Sequence, residues 1–265
     1  MRTEVDRVVG GDEAPVRVAA PFVLLDSFPA PLPASQGFVL AALGLTADGI
    51  PRFLAAEVAG GEEEEAWHAF LTRLAAVMSH RPLLVCAPGE PALRGLRKVY
   101  PHTHVQVSVS HSLRWWARQA EGAHRAPWVA EVRRIFAAPD LETAVTRFRA
   151  WRLRWRHRDH RAVEALEADL AAHLAFYHFP RRLWKQLRTA TAVRKAFLRA
   201  LQAGILGRPV PDGARAGAAG RGGLVFYRTV NAPEADGPPP ADPRWHGATA
   251  PNSPDVGRSP VGATV

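Results

Sequence analysis

The sequence predicts an α/β fold with a mixed sheet of about five strands and a large all-helical part, and three observations predict it. Apolar runs of strand length alternate with stretches of helical periodicity through residues 21–111. From Ser112 to about Gln202 strand signals vanish, and apolar side chains recur only at helical spacing. After Gly204 the composition turns to Gly and Pro (PVPDGARAGAAGRGG at 209–223), which offers too little apolar surface to offset the entropy of ordering. The 265 residues therefore divide into a lead-in (1–20), an α/β core (21–111), a helical block (112–178), a final basic helix (179–205) and a mostly disordered tail (206–265).

PFVLLD (21–26) reads as the first strand and ends on a carboxylate, Asp26; PAPLPASQ (29–36) then breaks the chain with three prolines. GFVLAAL (37–43) and residues 50–58 are two further strands around a TADG turn, so residues 37–58 form a hairpin. AGGEEEE (59–65) opens a helix with acids facing the positive end of its dipole, and Trp67, Phe70, Leu71 and Leu74 give that helix its apolar stripe. RPLLVCA (81–87) is the fourth strand. A Pro-Gly-Glu-Pro break leads to a helix over 92–99, and VQVSV (105–109) is the fifth strand. Helical periodicity marks 128–137, 141–155 and 162–176, with breaks near Gly122 and Pro139. LVFY (224–227) is one last apolar island before the tail.

The single Cys86 excludes an intramolecular disulfide framework and a Cys-cluster zinc site. No apolar run approaches the roughly 18–20 residues of a membrane span. The acidic N-terminus is unlike a signal peptide, so a soluble, cytoplasmic protein is expected. The net charge of +9 is unevenly spread. Residues 1–80 hold 5 basic and 11 acidic side chains (−6), residues 81–204 hold 23 and 9 (+14), and residues 205–265 hold 6 and 5 (+1). The positive field thus belongs to the middle of the chain, where nucleic acid is the expected anionic partner. Of 34 basic residues 31 are Arg, which suits bidentate phosphate contacts and equally reflects GC-rich coding.

The charge is densest at Arg181, Arg182, Lys185, Arg188, Arg194, Lys195 and Arg199, a run with no acid among them, which follows the aromatic residues Phe176, Tyr177 and Phe179. These seven are the candidate nucleic-acid-binding residues. RFRAWRLRWRHRDHR (147–161) interleaves seven Arg with Trp151 and Trp155. Such a pattern could stack bases, but Phe148, Trp151 and Trp155 fall at i, i+3 and i+7 and read first as a buried helical stripe. His111 reads as a satisfied histidine at a helix start. His124, His157, His160, His173 and His178 are scattered, and the Glu62–Glu65 run reads as a solvated helix start.

Several ordered motifs over residues 20–230 resemble mutator-type bacterial transposases. LAFYHFPRRLWKQLRTATAVRKAFLRAL (174–201) is similar to the family's closing aromatic-Pro-Trp run and its L-R-T-T-N/S-x-x-E helix. LVCAPGEPAL (84–93) aligns without gaps to V-S-D-G-x-P-x-L, with Gly89, Pro91 and Leu93 matching. GFVLAALGLTADGIPRFL (37–54) resembles the family hairpin, and YPHTHVQVSVSHSLRW (100–115) resembles Y-P-x-x-x-x-Q-R-C-x-x-H-K-x-R-N. In the latter Gln106, His111 and Arg114 stand, while Val107, Ser108 and Trp115 depart.

The resemblance implies a ribonuclease H-like core interrupted by a helical insertion. It also implies DNA transposition for a mobile element, with three carboxylates holding two Mg²⁺ ions for DNA cleavage and strand transfer. Asp26 takes the first carboxylate position and is the expected remnant of the catalytic, metal-binding set. The second position is Pro88 and the third Arg194; Glu90 is the nearest substitute for the second. A neutral and a cationic residue cannot replace hard oxygen donors, so a catalytically inactive, N-terminally truncated copy is expected, with Mg²⁺ not productively bound. The alternative is a non-catalytic DNA-binding or partner-binding derivative, touching DNA through its phosphates or pairing with a related transposase subunit. Its expected place is the bacterial cytoplasm, at the nucleoid when DNA-bound. An unrelated α/β enzyme using Glu90 and His111 is a third, weaker reading.

Overall fold

A computed structural model describes residues 18–30, 37–120 and 122–202. Most of the lead-in, the proline-rich 31–36 and the whole tail with its LVFY island lie outside the described residues. Five strands form one mixed sheet in the order β3-β2-β1-β4-β5. β1 (Phe22–Pro29), β2 (Phe38–Leu45) and β3 (Pro51–Ala59) are successive antiparallel neighbours; β4 (Leu84–Ala87) and β5 (His104–Val107) extend the sheet in parallel. The parallel connections are made by helices: α1 (Glu64–Val77) between β3 and β4, and α2 (Glu90–Val99) between β4 and β5. At the β2–β3 turn Gly49 adopts φ 82°, a conformation that favours glycine, and its N–H donates to the Thr46 carbonyl at 2.9 Å.

Strand alternation divides the core in two. Val23, Leu25, Leu40, Ala42, Val85 and Ala87 face α1 and α2, where Trp67, Phe70, Leu71 and Leu74 form the buried stripe that their spacing predicts. Each such side chain stabilises by about 1.5–3 kcal/mol on burial. The two helices cross closely at Gly95: a Cβ there would stand 2.8 Å from the His68 amide nitrogen. On the opposite face Phe22, Leu24, Phe28, Ala41, Leu43 and Cys86 meet the helical half of the chain.

That half is α3 (Val109–Gln119), α4 (Arg125–Phe136), α5 (Leu141–Trp155), α6 (His160–His173), two 3-10 turns at Ala175–His178 and Arg181–Leu183, α7 (Trp184–Leu187) and α8 (Thr191–Gln202). Asp140 caps α5, its carboxylate accepting the Thr143 N–H at 2.7 Å. Phe148, Trp151 and Trp155 are buried, so the tryptophans of the Arg-rich stretch are core. Trp151 meets Trp128 of α4 edge-on with centroids 5.4 Å apart.

The structure corrects several boundaries. β1 runs three residues past Asp26, because β2 continues the ladder through Ser27↔Leu40, Phe28↔Val39 and Pro29↔Phe38. β4 and α2 are offset from the expected 81–87 and 92–99. β5 stops at Val107, with Val109 opening α3 instead, and α6 spans 160–173 rather than 162–176. The single basic helix expected after Pro180 is three pieces. It breaks at Arg188–Ala190 because α3 claims the backbone there: the Val109 N–H donates to the Arg188 carbonyl at 3.0 Å, and the Ala190 N–H donates to Ser108 Oγ at 3.1 Å.

Candidate functional site

β1 and β4 pair in the register Phe22↔Leu84, Val23↔Val85, Leu24↔Cys86. Continued by two residues, that register sets Pro88 level with Asp26. Two residues beyond Asp26, on the same face of β1, Phe28 lies under α8: its ring is 5.1 Å from that of Phe197, and the Arg194 guanidinium carbon is 5.5 Å from its centroid. The first strand, the end of the fourth strand and the last helix therefore bring Asp26, Pro88 and Arg194 to one end of the sheet.

Asp26 is buried, with 5% of its surface exposed. Its Oδ1 accepts the Ser27 N–H at 2.9 Å and lies 2.9 Å from His111 Nε2. The other ring nitrogen of His111 is 2.9 Å from Ser108 Oγ. Burial, and then the nearby Asp26 carboxylate, hold the Cys86 thiol far above its ordinary value, so it stays protonated and inert.

These donors do not fit two divalent cations. Pro88 offers no side-chain oxygen, Arg194 brings a positive charge, and Asp26 already has a partner. Among the described residues no cluster of three or more His, Cys, Asp or Glu could hold a metal ion. Glu90 is exposed in the first turn of α2, 3.5 Å from Arg94. The carboxylate that feels it is Asp169 of α6, whose carboxyl is held above its ordinary value by burial first and by Glu90 second.

The seven cations divide. Arg194, Lys195 and Arg199 are exposed on α8, and Arg181, Arg182 and Lys185 are exposed around the second 3-10 turn and α7. The Arg181 guanidinium carbon is 5.8 Å from the Trp184 ring centroid, and Arg182 donates to the Ala47 carbonyl at 3.2 Å. Arg188 departs from expectation. Half-buried, it donates to the Phe136 carbonyl at 2.8 Å and so ties the α7–α8 link to the end of α4.

Sequence reasoning missed a second polar node. Gln106 and His173 have no exposed surface. Gln106 Oε1 accepts the Phe176 N–H at 2.9 Å, and its amide donates to the carbonyls of His173 and Val107 at 3.0 and 2.6 Å. His173 donates from Nδ1 to the Asp169 carbonyl at 2.6 Å and accepts from the Ser112 hydroxyl at Nε2, 2.7 Å away. The available signal was a polar Gln in the middle of the apolar strand VQV.

No helix among the described residues is long and apolar enough to cross a membrane. The family model for Transposase, Mutator family, matches residues 21–196, more than half of the chain. The chain is 28% identical over 147 residues to the transposase for insertion sequence element IS905 of Lactococcus lactis subsp. lactis, covering 55% of this chain and 37% of the relative. It is 28% identical over 158 residues to the ISRM5 transposase of Rhizobium meliloti (59% and 40%). Similarity to the IS6120 transposase of Mycolicibacterium smegmatis extends furthest along this chain among these three, at 25% identity over 222 residues, or 81% of this chain and 62% of the relative. The chain thus spans between about a third and two thirds of the length of these relatives. The family match over residues 21–196 and these relatives agree: the chain belongs to the Mutator family of transposases.

Proposed function

We propose that this chain is a mobile-element protein that keeps a transposase scaffold and a DNA-facing positive surface without the two-metal cleavage chemistry. The antiparallel β1–β2–β3 unit followed by parallel β4 and β5, with helices on both faces, supports a ribonuclease H-like reading of the core. One observation carries the inactivity: of the three positions gathered there, Asp26, Pro88 and Arg194, only Asp26 is a carboxylate, and it is already hydrogen-bonded, with a proline beside it and a cation on the helix above. Two-metal catalysis needs hard anionic oxygens to hold both ions. The exposed cations of α8 and of the turn before it supply phosphate contacts that carry no sequence information, so non-specific DNA binding is the remaining activity.

The test is nicking of supercoiled DNA by the purified protein in Mg²⁺ or Mn²⁺, with Asp26→Ala alongside. No cleavage by either protein, together with salt-sensitive DNA binding by both, is the expected result. Metal-dependent cleavage that Asp26→Ala abolishes would overturn it.

A further inference from the structure

The hydrogen bonds around Asp26 form a directed chain. The Ala190 N–H can only donate, so Ser108 Oγ accepts it at 3.1 Å. The Ser108 hydroxyl proton can then go to His111 Nδ1 at 2.9 Å, with Ser110 Oγ at 3.1 Å and the protonated Cys86 thiol as its other neighbours. With Nδ1 accepting, Nε2 carries the ring proton and donates it to Asp26 Oδ1 at 2.9 Å. Three elements meet along this path: the link before α8, the start of α3 with its N-cap, and β1. Two bonds run beside it, from the Val109 N–H to the Arg188 carbonyl at 3.0 Å and between Ser110 Oγ and Thr189 Oγ1 at 2.7 Å. Ser108 has no exposed surface and Asp26 has 5%, so water is a poor substitute for either partner.

We propose that Asp26 is a positioning residue: acting through His111 and Ser108, it fixes the start of α8 over the sheet. The chain requires an acceptor at position 26 and not a negative charge. Asn supplies that acceptor through its amide oxygen, but it is a poor replacement for a carboxylate as a metal ligand. The inference stands on this geometry alone and does not depend on DNA binding.

The experiment is hydrogen exchange of the full chain, read on peptides from α8 and, as an internal reference, from the β2–β3 hairpin. Mn²⁺ binding is followed in parallel by the paramagnetic resonance of free Mn²⁺. In Ser108→Ala, exchange at the start of α8 should rise at least tenfold while the hairpin stays at the wild-type rate. Asp26→Asn should keep wild-type protection of α8, and Asp26→Ala should lose it. Wild type should leave the free Mn²⁺ signal unchanged. The proposal is overturned if Asp26→Asn loosens α8 as much as Asp26→Ala does, or if Ser108→Ala leaves α8 unchanged. It is also overturned if wild type binds Mn²⁺ and Asp26→Asn releases it. The nicking assay reads a different property: metal-dependent cleavage that persists in Asp26→Asn, with α8 still protected, would sink the functional proposal and leave this one standing.

Discussion

Residue 173 carries a histidine with no exposed surface, hydrogen-bonded at both ring nitrogens and 4.6 Å from the ring of Trp116. Burial lowers its pKa from 6.5 to about 4, because a charged imidazole there would lose its hydration. The folded protein therefore binds its proton less readily than the unfolded chain does. Stability is full above about pH 6.5, falls as pH drops from there toward 4, and levels off once both states are protonated. A lowering from 6.5 to about 4 corresponds to roughly 3 kcal/mol, most of it lost by pH 4.5. Urea unfolding of wild type and His173→Gln across pH 4.5–7.5 isolates this contribution from the carboxylates, which both proteins share. The gap between the two proteins should narrow by about that amount toward acid, and parallel profiles would refute the buried neutral histidine.

At the scale of elements, α5 decides between two uses of one pattern. Its tryptophans are buried against α4, and Trp155 Nε1 donates to Glu131 at 3.1 Å, while the intervening arginines are exposed. Trp151→Ala should cost about 3–5 kcal/mol in urea unfolding, and Arg149→Ala no more than about 0.5 kcal/mol. A Trp151→Ala protein of wild-type stability would mean that this side chain is not part of the core. The spacing of Phe148, Trp151 and Trp155 made that stripe legible in advance, as did the spacing of Trp67, Phe70, Leu71 and Leu74 in α1. The five strands were legible because each is a short apolar run between Gly, Pro or Asp breaks. What periodicity could not reveal were features set by distant partners. β1 outlasts Asp26 because β2 pairs with it, and the basic helix breaks at 188–190 because Ser108 and Val109 use its backbone. His173 looked scattered because Ser112 and Gln106 lie 61 and 67 residues away in sequence. At the candidate site, motif order could not reveal the His111 bridge to Asp26.

For the whole molecule the governing quantity is where its charge sits. Residues 81–204 carry +14, and ion pairs absorb part of it: Arg152 with Glu167 at 2.8 Å, Arg154 with Glu131 at 2.9 Å, and Arg94 and Lys98 both with Glu64. Among the described residues the arginines and lysine exposed on α8 form no ion pair with an acid, whereas Arg182 leans toward Ala47 and Asp48 and Arg188 is turned inward. Each phosphate neutralised contributes a slope of about −0.9 to log K against log salt on duplex DNA. Arg194→Gln and Arg199→Gln should therefore each weaken binding uniformly across sequences and flatten that slope by about 1. Arg188→Gln should leave the slope unchanged and instead lower stability by about 1–3 kcal/mol, the cost of stripping a charged donor from a buried carbonyl. Fluorescence anisotropy of a labelled duplex between 50 and 200 mM salt measures the first pair of effects, and urea unfolding the third. If Arg188→Gln flattened the slope and the α8 variants did not, the DNA-facing surface would lie toward the end of α4 rather than on the final helix.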